Sequence, residues 1–164
     1  MTTTLGPPTL DEIRAARTRI GRDVVRTPLV RLGIDAPAEI YLKLENLQPI
    51  GSFKLRGAAS AMAQAGDAQL ARGVFTASAG NMAQGVAWCA RAMGVRCTVV
   101  VPDDAPQTKL AAIRRLGGSI VPVPFPRWWT ALQEHRFEGI EGRCSRATGR
   151  SASRSPRISR RPMR

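Results

Sequence analysis

The chain has 164 residues and a formal charge of +13, which arises from 25 lysine and arginine residues against 12 acidic ones. This length suits one domain with a short appended segment, and the basic excess favours polyanionic partners. No apolar run approaches the roughly 18 residues of a membrane span and no signal pattern is present, so we expect a cytoplasmic protein without a membrane partner. Three cysteines without CxxC spacing and a single histidine argue against a disulfide framework and a metal site.

The positive charge is concentrated at the C-terminal end of the sequence. Residues 143–164 contain eight arginines and no acid, whereas the remainder has 17 basic and 12 acidic residues, a net charge of +5. In this stretch only Ile158 belongs to the Val, Ile, Leu and Phe set, which is too little to form a core. We therefore expect residues 1–142 to fold and residues 143–164 to be a disordered tail, whose abrupt start suggests a reading-frame change.

The first part of the chain predicts a helix, two extended segments and a loop. Thr9 and Glu12 have capping-box spacing ahead of apolar residues at helical period, which predicts an N-terminal helix. "RTPLVRL" (26–32) predicts an extended segment, and "IYLKLE" (40–45) alternates as a half-buried strand does. The loop "NLQPIGS" (46–52) then leads into an alanine-rich helix.

Strands and helices alternate in the second part of the chain. This pattern is typical of βαβ units around a parallel sheet, so the predicted fold class is α/β, with the βαβ region at about 55–125. Gly94 and Gly117 follow two of the helices as C-caps. The predicted strands are residues 73–79, 97–102 and 119–124, and the predicted helices are residues 80–94, 108–117 and 126–142, the last packing through Trp128, Trp129, Leu132 and Phe137.

Two places in the sequence carry chemically useful groups. With Ser52 as a helix N-cap, Lys54 falls in the first helical turn, where partial positive charge disfavours an ammonium by up to about 1 kcal/mol. Ser78, Gly80 and Asn81 form a strand-to-helix turn, a position at which α/β sheets bind ligands and backbone N–H groups bind anions. Each feature alone is more often a surface lysine or a simple helix cap. Together, an amine and a carboxylate-binding turn are the parts of a Schiff-base enzyme.

Three motifs carry a family resemblance. "SFKLRGA" (52–58), "TASAGNMAQGVA" (76–87) and "VPDDAPQTKLAAIRRLGG" (101–118) together resemble the pyridoxal-phosphate-dependent threonine/serine dehydratase family. The resemblance covers residues 9–140 approximately and implies a tryptophan-synthase-β-like fold (fold type II), incomplete at its C-terminal end. It also implies pyridoxal 5'-phosphate as cofactor and β-elimination of threonine or serine, small hydroxyamino acids, to a 2-oxo acid and ammonia.

The resemblance implies a role for each matching residue. Lys54 is similar to the catalytic lysine that condenses with the cofactor aldehyde and removes the Cα proton. Phe53 is similar to the residue that packs near the cofactor ring, and Asn81 to the asparagine that hydrogen-bonds the 3′-oxygen. The residues that match the turn receiving the substrate carboxylate are Ser78, Ala79, Gly80, Asn81 and Gln84.

Three departures from the family pattern modify these expectations. Ala79 stands where racemases of the family carry a serine as second base, which favours dehydration. Met82 stands where many relatives have histidine, which alters the carboxylate contacts. A glycine-rich loop for the cofactor phosphate is missing, because only the isolated Gly139, Gly142 and Gly149 follow Gly118. We therefore expect a truncated chain in which cofactor binding is weakened or lost and which is inactive alone.

Two functions of other classes remain open. The arginine-rich tail would bind polyanions in a salt-dependent way, but without a nucleic-acid module or aromatic interleaving we expect no specific nucleic acid. A non-catalytic fragment could instead form a homo-oligomer or pair with an intact relative through exposed sheet edges. Lys43, Arg56 and Lys109 are interpreted as surface or packing charges.

Overall fold

The computed structural model describes residues 7–134, 136–137 and 145–146. Within these ranges the predicted α/β fold with parallel strands is confirmed, and none of their helices is long and apolar enough to cross a membrane. A short 3-10 helix, Glu45–Leu47, precedes the second α-helix. In chain order the elements are α1 (Leu10–Ile20), β1 (Leu29–Arg31), β2 (Tyr41–Lys43), α2 (Lys54–Gln64), α3 (Asp67–Ala71), β3 (Val74–Ala77), α4 (Asn81–Met93), β4 (Cys97–Pro102), α5 (Gln107–Arg115), β5 (Gly118–Val123), α6 (Phe125–Glu134) and β6 (Ser145–Arg146).

The main sheet has four parallel strands in the order β5-β4-β3-β6. Cys97 of β4 is in register with Val74 of β3 on one side and with Gly118 of β5 on the other. The helices α4 and α5 connect β3 to β4 and β4 to β5, as the alternating sequence predicts. The strands β1 and β2 form a separate antiparallel pair.

Both faces of the main sheet are covered, which explains the nearly continuous apolar sequence of β3 and β4. On one face Val74, Val99 and Val101 join a core with residues of α2, α4 and α5, all of these valines being at most 1% exposed. On the other face Phe75 and Val100 pack against α6. The carboxyl ends of the strands, where ligands bind in such sheets, therefore lie between two helical layers.

The predicted start of α1 and the predicted glycines after α4 and α5 are confirmed. Thr9 accepts a hydrogen bond from the Glu12 amide (3.3 Å) while the Glu12 carboxylate accepts from the Thr9 amide (2.7 Å), so the capping box is formed. Gly94 follows α4 in the left-handed conformation (φ 68°), and Gly117 has φ 85° after α5. Only glycine adopts these angles without strain.

Four local features differ from the sequence predictions. The helix predicted over 126–142 ends at Glu134, and the described residues 136–137 are not helical. All of Tyr41–Lys43 is exposed, because within the described residues β2 pairs only with β1 in a two-stranded sheet. Helix α3 was not predicted. In α6 Trp128 and Leu132 pack against the sheet, but Trp129 is 45% exposed instead of packing.

The expected tail, residues 143–164, lies outside the described residues apart from β6. Ser145 and Arg146 are in register with Val74 and Phe75 of β3 in a parallel pair. The proposed boundary at residue 142 stays a prediction.

Candidate functional site

The loop before α2 fixes where the helix begins. Gly51 has φ 67°, and its amide donates to the Gln48 carbonyl at 2.7 Å. Ser52 is buried, and its Oγ accepts a hydrogen bond from the Lys54 amide at 3.3 Å. Phe53, one residue later than the predicted Ser52, takes the N-cap position. Lys54 is consequently the first residue of α2, in the first turn as predicted.

The side chain of Lys54 lies beside an aromatic ring. Its Nζ is 5.1 Å from the centre of the Phe53 ring, within the range of a cation–π contact. Lys54 is half-buried, while Phe53 is 57% exposed despite its apolar ring. An amine and an open aromatic face therefore occupy neighbouring positions at the start of α2.

The turn between β3 and α4 presents backbone amides. Ser78 extends the sheet by donating its amide to the Val100 carbonyl (3.1 Å), and its Oγ accepts from the Gly80 amide (3.2 Å). Gly80 is the N-cap of α4, and no side chain in the described part of the chain caps this helix. A Cβ placed on Gly80 would meet no atom within 4 Å. Uncapped amides beside open space are suited to binding an anion.

The remaining predicted residues lie around this turn. Ala79 is half-buried and packs partly against the α2 and α4 side of the core. Asn81 is exposed as the first residue of α4. Gln84 is half-buried one turn further on, and its amide donates to the Gly80 carbonyl at 3.3 Å.

Close packing of α2 on α4 brings the backbone of Lys54 close to the N-terminal part of α4. A Cβ on Gly85 would lie 3.4 Å from the Lys54 carbonyl oxygen and 3.1 Å from the Ala58 Cβ. A Cβ on Gly57 would lie 3.9 Å from the Met82 Cε. Since Gly85 is only one helical turn beyond Asn81, the Lys54 backbone lies beside the start of α4.

These residues fit a carbonyl cofactor and an amino-acid carboxylate. A primary amine is the group that condenses with an aldehyde, and Lys54 is half-buried at the site. The uncapped amides at the start of α4 would complement a carboxylate. In the described ranges no group of three or more His, Cys, Asp or Glu residues could hold a metal ion. The individual roles predicted for the site residues stay predictions.

The sequence interpretation missed the environment of Glu45. Its carboxylate accepts two hydrogen bonds from Arg56, from Nε at 2.8 Å and from Nη2 at 2.7 Å, and one from Thr27 Oγ1 at 2.6 Å. These bonds, chiefly the one from Arg56, lower the pKa of Glu45 from 4.5 to about 2 although burial opposes the shift. The same bond raises the pKa of Arg56.

The interpretation of Arg56 as a surface or packing charge is therefore incomplete. Its side chain is 32% exposed, and its guanidinium binds Glu45 through two hydrogen bonds. Lys43 also takes part, since its Nζ donates to the Thr27 carbonyl and lies 4.0 Å from Glu45. The opposite charges of Glu45 and Arg56 were the only signal in the sequence that could have indicated this pair. The two residues belong to different helices, so no helical spacing marks them as neighbours.

The α/β sheet, with a lysine at the start of α2 beside the first turn of α4, is the fold of type II pyridoxal-phosphate enzymes. Residues 20–147 match the family model described as pyridoxal-phosphate dependent enzyme, and the chain belongs to this family.

Named relatives include both lyases and racemases. The chain is 38% identical over 117 residues to a serine racemase of Schizosaccharomyces pombe, covering 70% of this chain and 36% of that protein. It is 42% identical over 116 residues to an L-threonine ammonia-lyase of Thermotoga maritima, covering 69% and 29%. The crystal structure of serine racemase from Dictyostelium discoideum matches with a TM-score of 0.73 and 36% identity, over 84% of this chain and 45% of that one. The chain thus spans about a third of the length of these curated relatives.

Proposed function

We propose that this chain supplies the lysine-bearing and carboxylate-binding part of an ammonia-lyase site for a small hydroxyamino acid, threonine or serine. One observation carries the proposal. The Lys54 carbonyl lies against Gly85, which supports a shared site for the amine-bearing turn of α2 and the Ser78–Asn81 turn. The family to which the chain belongs is pyridoxal-phosphate dependent.

Each predicted residue has a physical task in this proposal. Lys54 would hold the cofactor through its aldehyde and, once the substrate amino group has displaced it, the freed neutral amine would take the Cα proton. Phe53 would pack beside the cofactor ring, and Asn81 would donate a hydrogen bond to its 3′-oxygen. When bound, pyridoxal 5'-phosphate supplies the electron-withdrawing ring that makes the Cα–H bond acidic.

The turn at the start of α4 orients the substrate. Its amides, with the side chains of Ser78 and Gln84, bind the carboxylate and leave the Cα–H bond directed at Lys54. The substrate loses its Cα proton and its β-hydroxyl as one water, and uptake of one water yields a 2-oxo acid and ammonia.

The methyl side chain of Ala79 favours elimination over racemisation. Racemisation needs a second proton donor on the opposite side of Cα, and a methyl group cannot supply a proton. Serine racemases are among the relatives of this chain, so we include the interconversion of serine enantiomers as a measured alternative.

Covalent trapping tests the proposal. The chain has three lysines, Lys43, Lys54 and Lys109, so incubation with pyridoxal 5'-phosphate, borohydride reduction and peptide mass spectrometry report all of them at once. We expect the mass increase mainly on Lys54, with loss in Lys54→Ala and retention in Lys109→Ala, a change on the exposed side of α5. Equal labelling of the three lysines would refute the proposal.

Turnover is measured on the same samples. We keep the sequence prediction that the chain alone is inactive. The resemblance implies a glycine-rich loop for the cofactor phosphate that was not found in this sequence. The hydrogen bonds of such a loop are charge-assisted and would contribute about 1.5–3 kcal/mol each. Production of a 2-oxo acid from threonine or serine by the purified chain would contradict this part.

A second candidate is a fragment that acts by pairing with a larger relative. It is favoured by the exposure of the β1–β2 pair, in which Leu29 is 62%, Tyr41 51% and Val30 45% exposed. Such apolar side chains are typical of a surface that another chain covers. Co-purification with a full-length homologue, lost when Leu29 and Tyr41 are changed to Ser, would support this candidate.

A further inference from the structure

A group of polar side chains joins three separate segments just before α2. Glu45 accepts hydrogen bonds from Arg56 and Thr27 and a longer one from Gln48 Nε2 at 3.3 Å. The Glu45 side chain is 17% exposed, so these are charge-assisted bonds in partly buried surroundings. We call the side chains of Glu45, Gln48 and Arg56 the Glu45 clamp.

The clamp also holds the N-terminal segment. Gln48 pairs with the backbone of Val25 in both directions, donating from Nε2 at 2.8 Å and accepting through Oε1 at 3.0 Å. Arg56 Nη2 adds a third bond to the Val25 carbonyl at 3.1 Å. Arg56 of α2 is therefore attached both to the 3-10 helix and to the segment that follows α1.

The position of Arg56 on α2 determines what the clamp does to Lys54. Residues two apart on an α-helix point about 200° apart around its axis. Arg56 is directed towards Val25 and Glu45, so Lys54 is directed away from them. Fixing Arg56 at two sites therefore fixes the rotation of the first turn of α2 and with it the direction of the Lys54 side chain.

We propose that the Glu45 clamp is a positioning device for Lys54, which sets the rotation of the first turn of α2 relative to α4. This inference rests on the proposed function, in which Lys54 is the reacting amine. The clamp residues act through Lys54 and touch neither substrate nor cofactor in this scheme.

Reductive methylation with formaldehyde and cyanoborohydride tests the clamp without any cofactor. Peptide mass spectrometry gives separate rates for Lys43, Lys54 and Lys109 in one folded sample. In Glu45→Gln and Arg56→Lys we expect the half-buried Lys54 to react at least about threefold faster, while Lys109 keeps its rate. R56K introduces a further amine two residues from Lys54, and fragment ions distinguish its methylation from that of Lys54.

Two control variants separate positioning from general loss of stability. Arg31→Lys makes the same substitution in a surface ion pair with Glu39, in which both side chains are 63% exposed. Ile113→Val lowers core stability on α5, away from the clamp. Both should leave the Lys54 rate unchanged. An unchanged Lys54 rate in E45Q and R56K, or an equal increase in I113V, would overturn the proposal.

A substitute variant and a second labelling reaction complete the test of the clamp. If E45Q does not fold, Thr27→Val replaces it as the test. This change removes the hydrogen bond that Thr27 donates to Glu45 and should raise the methylation rate of Lys54 by a smaller factor. An unchanged rate would count against the clamp. Pyridoxal 5'-phosphate trapping separates the two claims. If pyridoxal 5'-phosphate does not label Lys54 preferentially in the unchanged chain, the proposed function is refuted. Faster methylation of Lys54 in E45Q would still support the clamp.

Discussion

Gly85 of α4 lies so close to Ala58 of α2 that a Cβ at position 85 would be 3.1 Å from the Ala58 Cβ. Nearly all observed Cβ contacts are longer, and the Ala58 Cβ is attached directly to the backbone and cannot rotate away. The absence of a side chain at Gly85 is therefore what allows the turn bearing Lys54 to approach α4.

We predict that Gly85→Val destabilises the chain by about 1–3 kcal/mol, because overpacking separates α2 from α4 and outweighs any gain in helix propensity. The free energy of unfolding from urea titrations measures the effect, and Lys54 trapping by pyridoxal 5'-phosphate should fall with it.

Gly57→Ala is the matched control on the facing helix. Its Cβ would make only an ordinary 3.9 Å contact with Met82, so the higher helix propensity of alanine should stabilise the chain by about 0.5–1 kcal/mol. A destabilising Gly57→Ala, or a neutral Gly85→Val, would contradict this account of the interface.

Acid should weaken the chain through Glu45. Its pKa is lowered in the folded chain from 4.5 to about 2, so its stabilisation is complete above pH 4.5 and disappears as the pH falls towards 2. The loss amounts to at most about 3 kcal/mol. Urea titrations between pH 7 and pH 3, followed by tryptophan fluorescence, measure it.

Glu45→Gln should remove this part of the pH dependence and be less stable than the unchanged chain at pH 7. Glu39→Gln is the control, since Glu39 is 63% exposed in a surface pair with Arg31, and such pairs contribute little. Parallel pH profiles for the unchanged chain and E45Q would show that Glu45 does not carry the effect.

Cys89 should be inert in the folded chain. Burial, with a smaller contribution from Asp23, raises its pKa to about 12, and the residue is 2% exposed. We expect iodoacetamide at pH 8 to modify Cys89 at least about a hundredfold more slowly than in urea, because the thiolate is the reacting form. Peptide mass spectrometry identifies the site, and comparable rates with and without urea would show that α4 opens readily.

The capping box should contribute measurably to α1. Thr9→Ala removes the oxygen that accepts from the Glu12 amide and should lower the free energy of unfolding by about 1 kcal/mol. Thr18→Ala removes only an exposed bond to the Arg14 carbonyl inside the helix and should be close to neutral. Equal effects of the two changes would argue against a specific role of the cap.

Much of the α/β region followed from local patterns in the sequence. The strand 97–102 was predicted with its observed bounds. The helix predicted over 80–94 is observed as Asn81–Met93, a difference of one residue at each end. These elements are recognisable because apolar runs and glycine caps report local conformation and burial. The positions of Lys54 in the first turn of α2 and of Ser78–Asn81 at the turn from β3 to α4 followed for the same reason.

Only the tertiary structure decided which of these local features meet. The approach of Gly85 to Ala58 brings Lys54 to the start of α4, and the pairing of Glu45 with Arg56 connects residues with no helical or strand spacing. Trp129 was expected to pack and Leu42 to lie on the buried side of a half-buried strand, yet both are exposed because no described element covers them. The order of residues along the chain specifies each helix and strand separately, whereas contacts between distant residues depend on how all of them pack together.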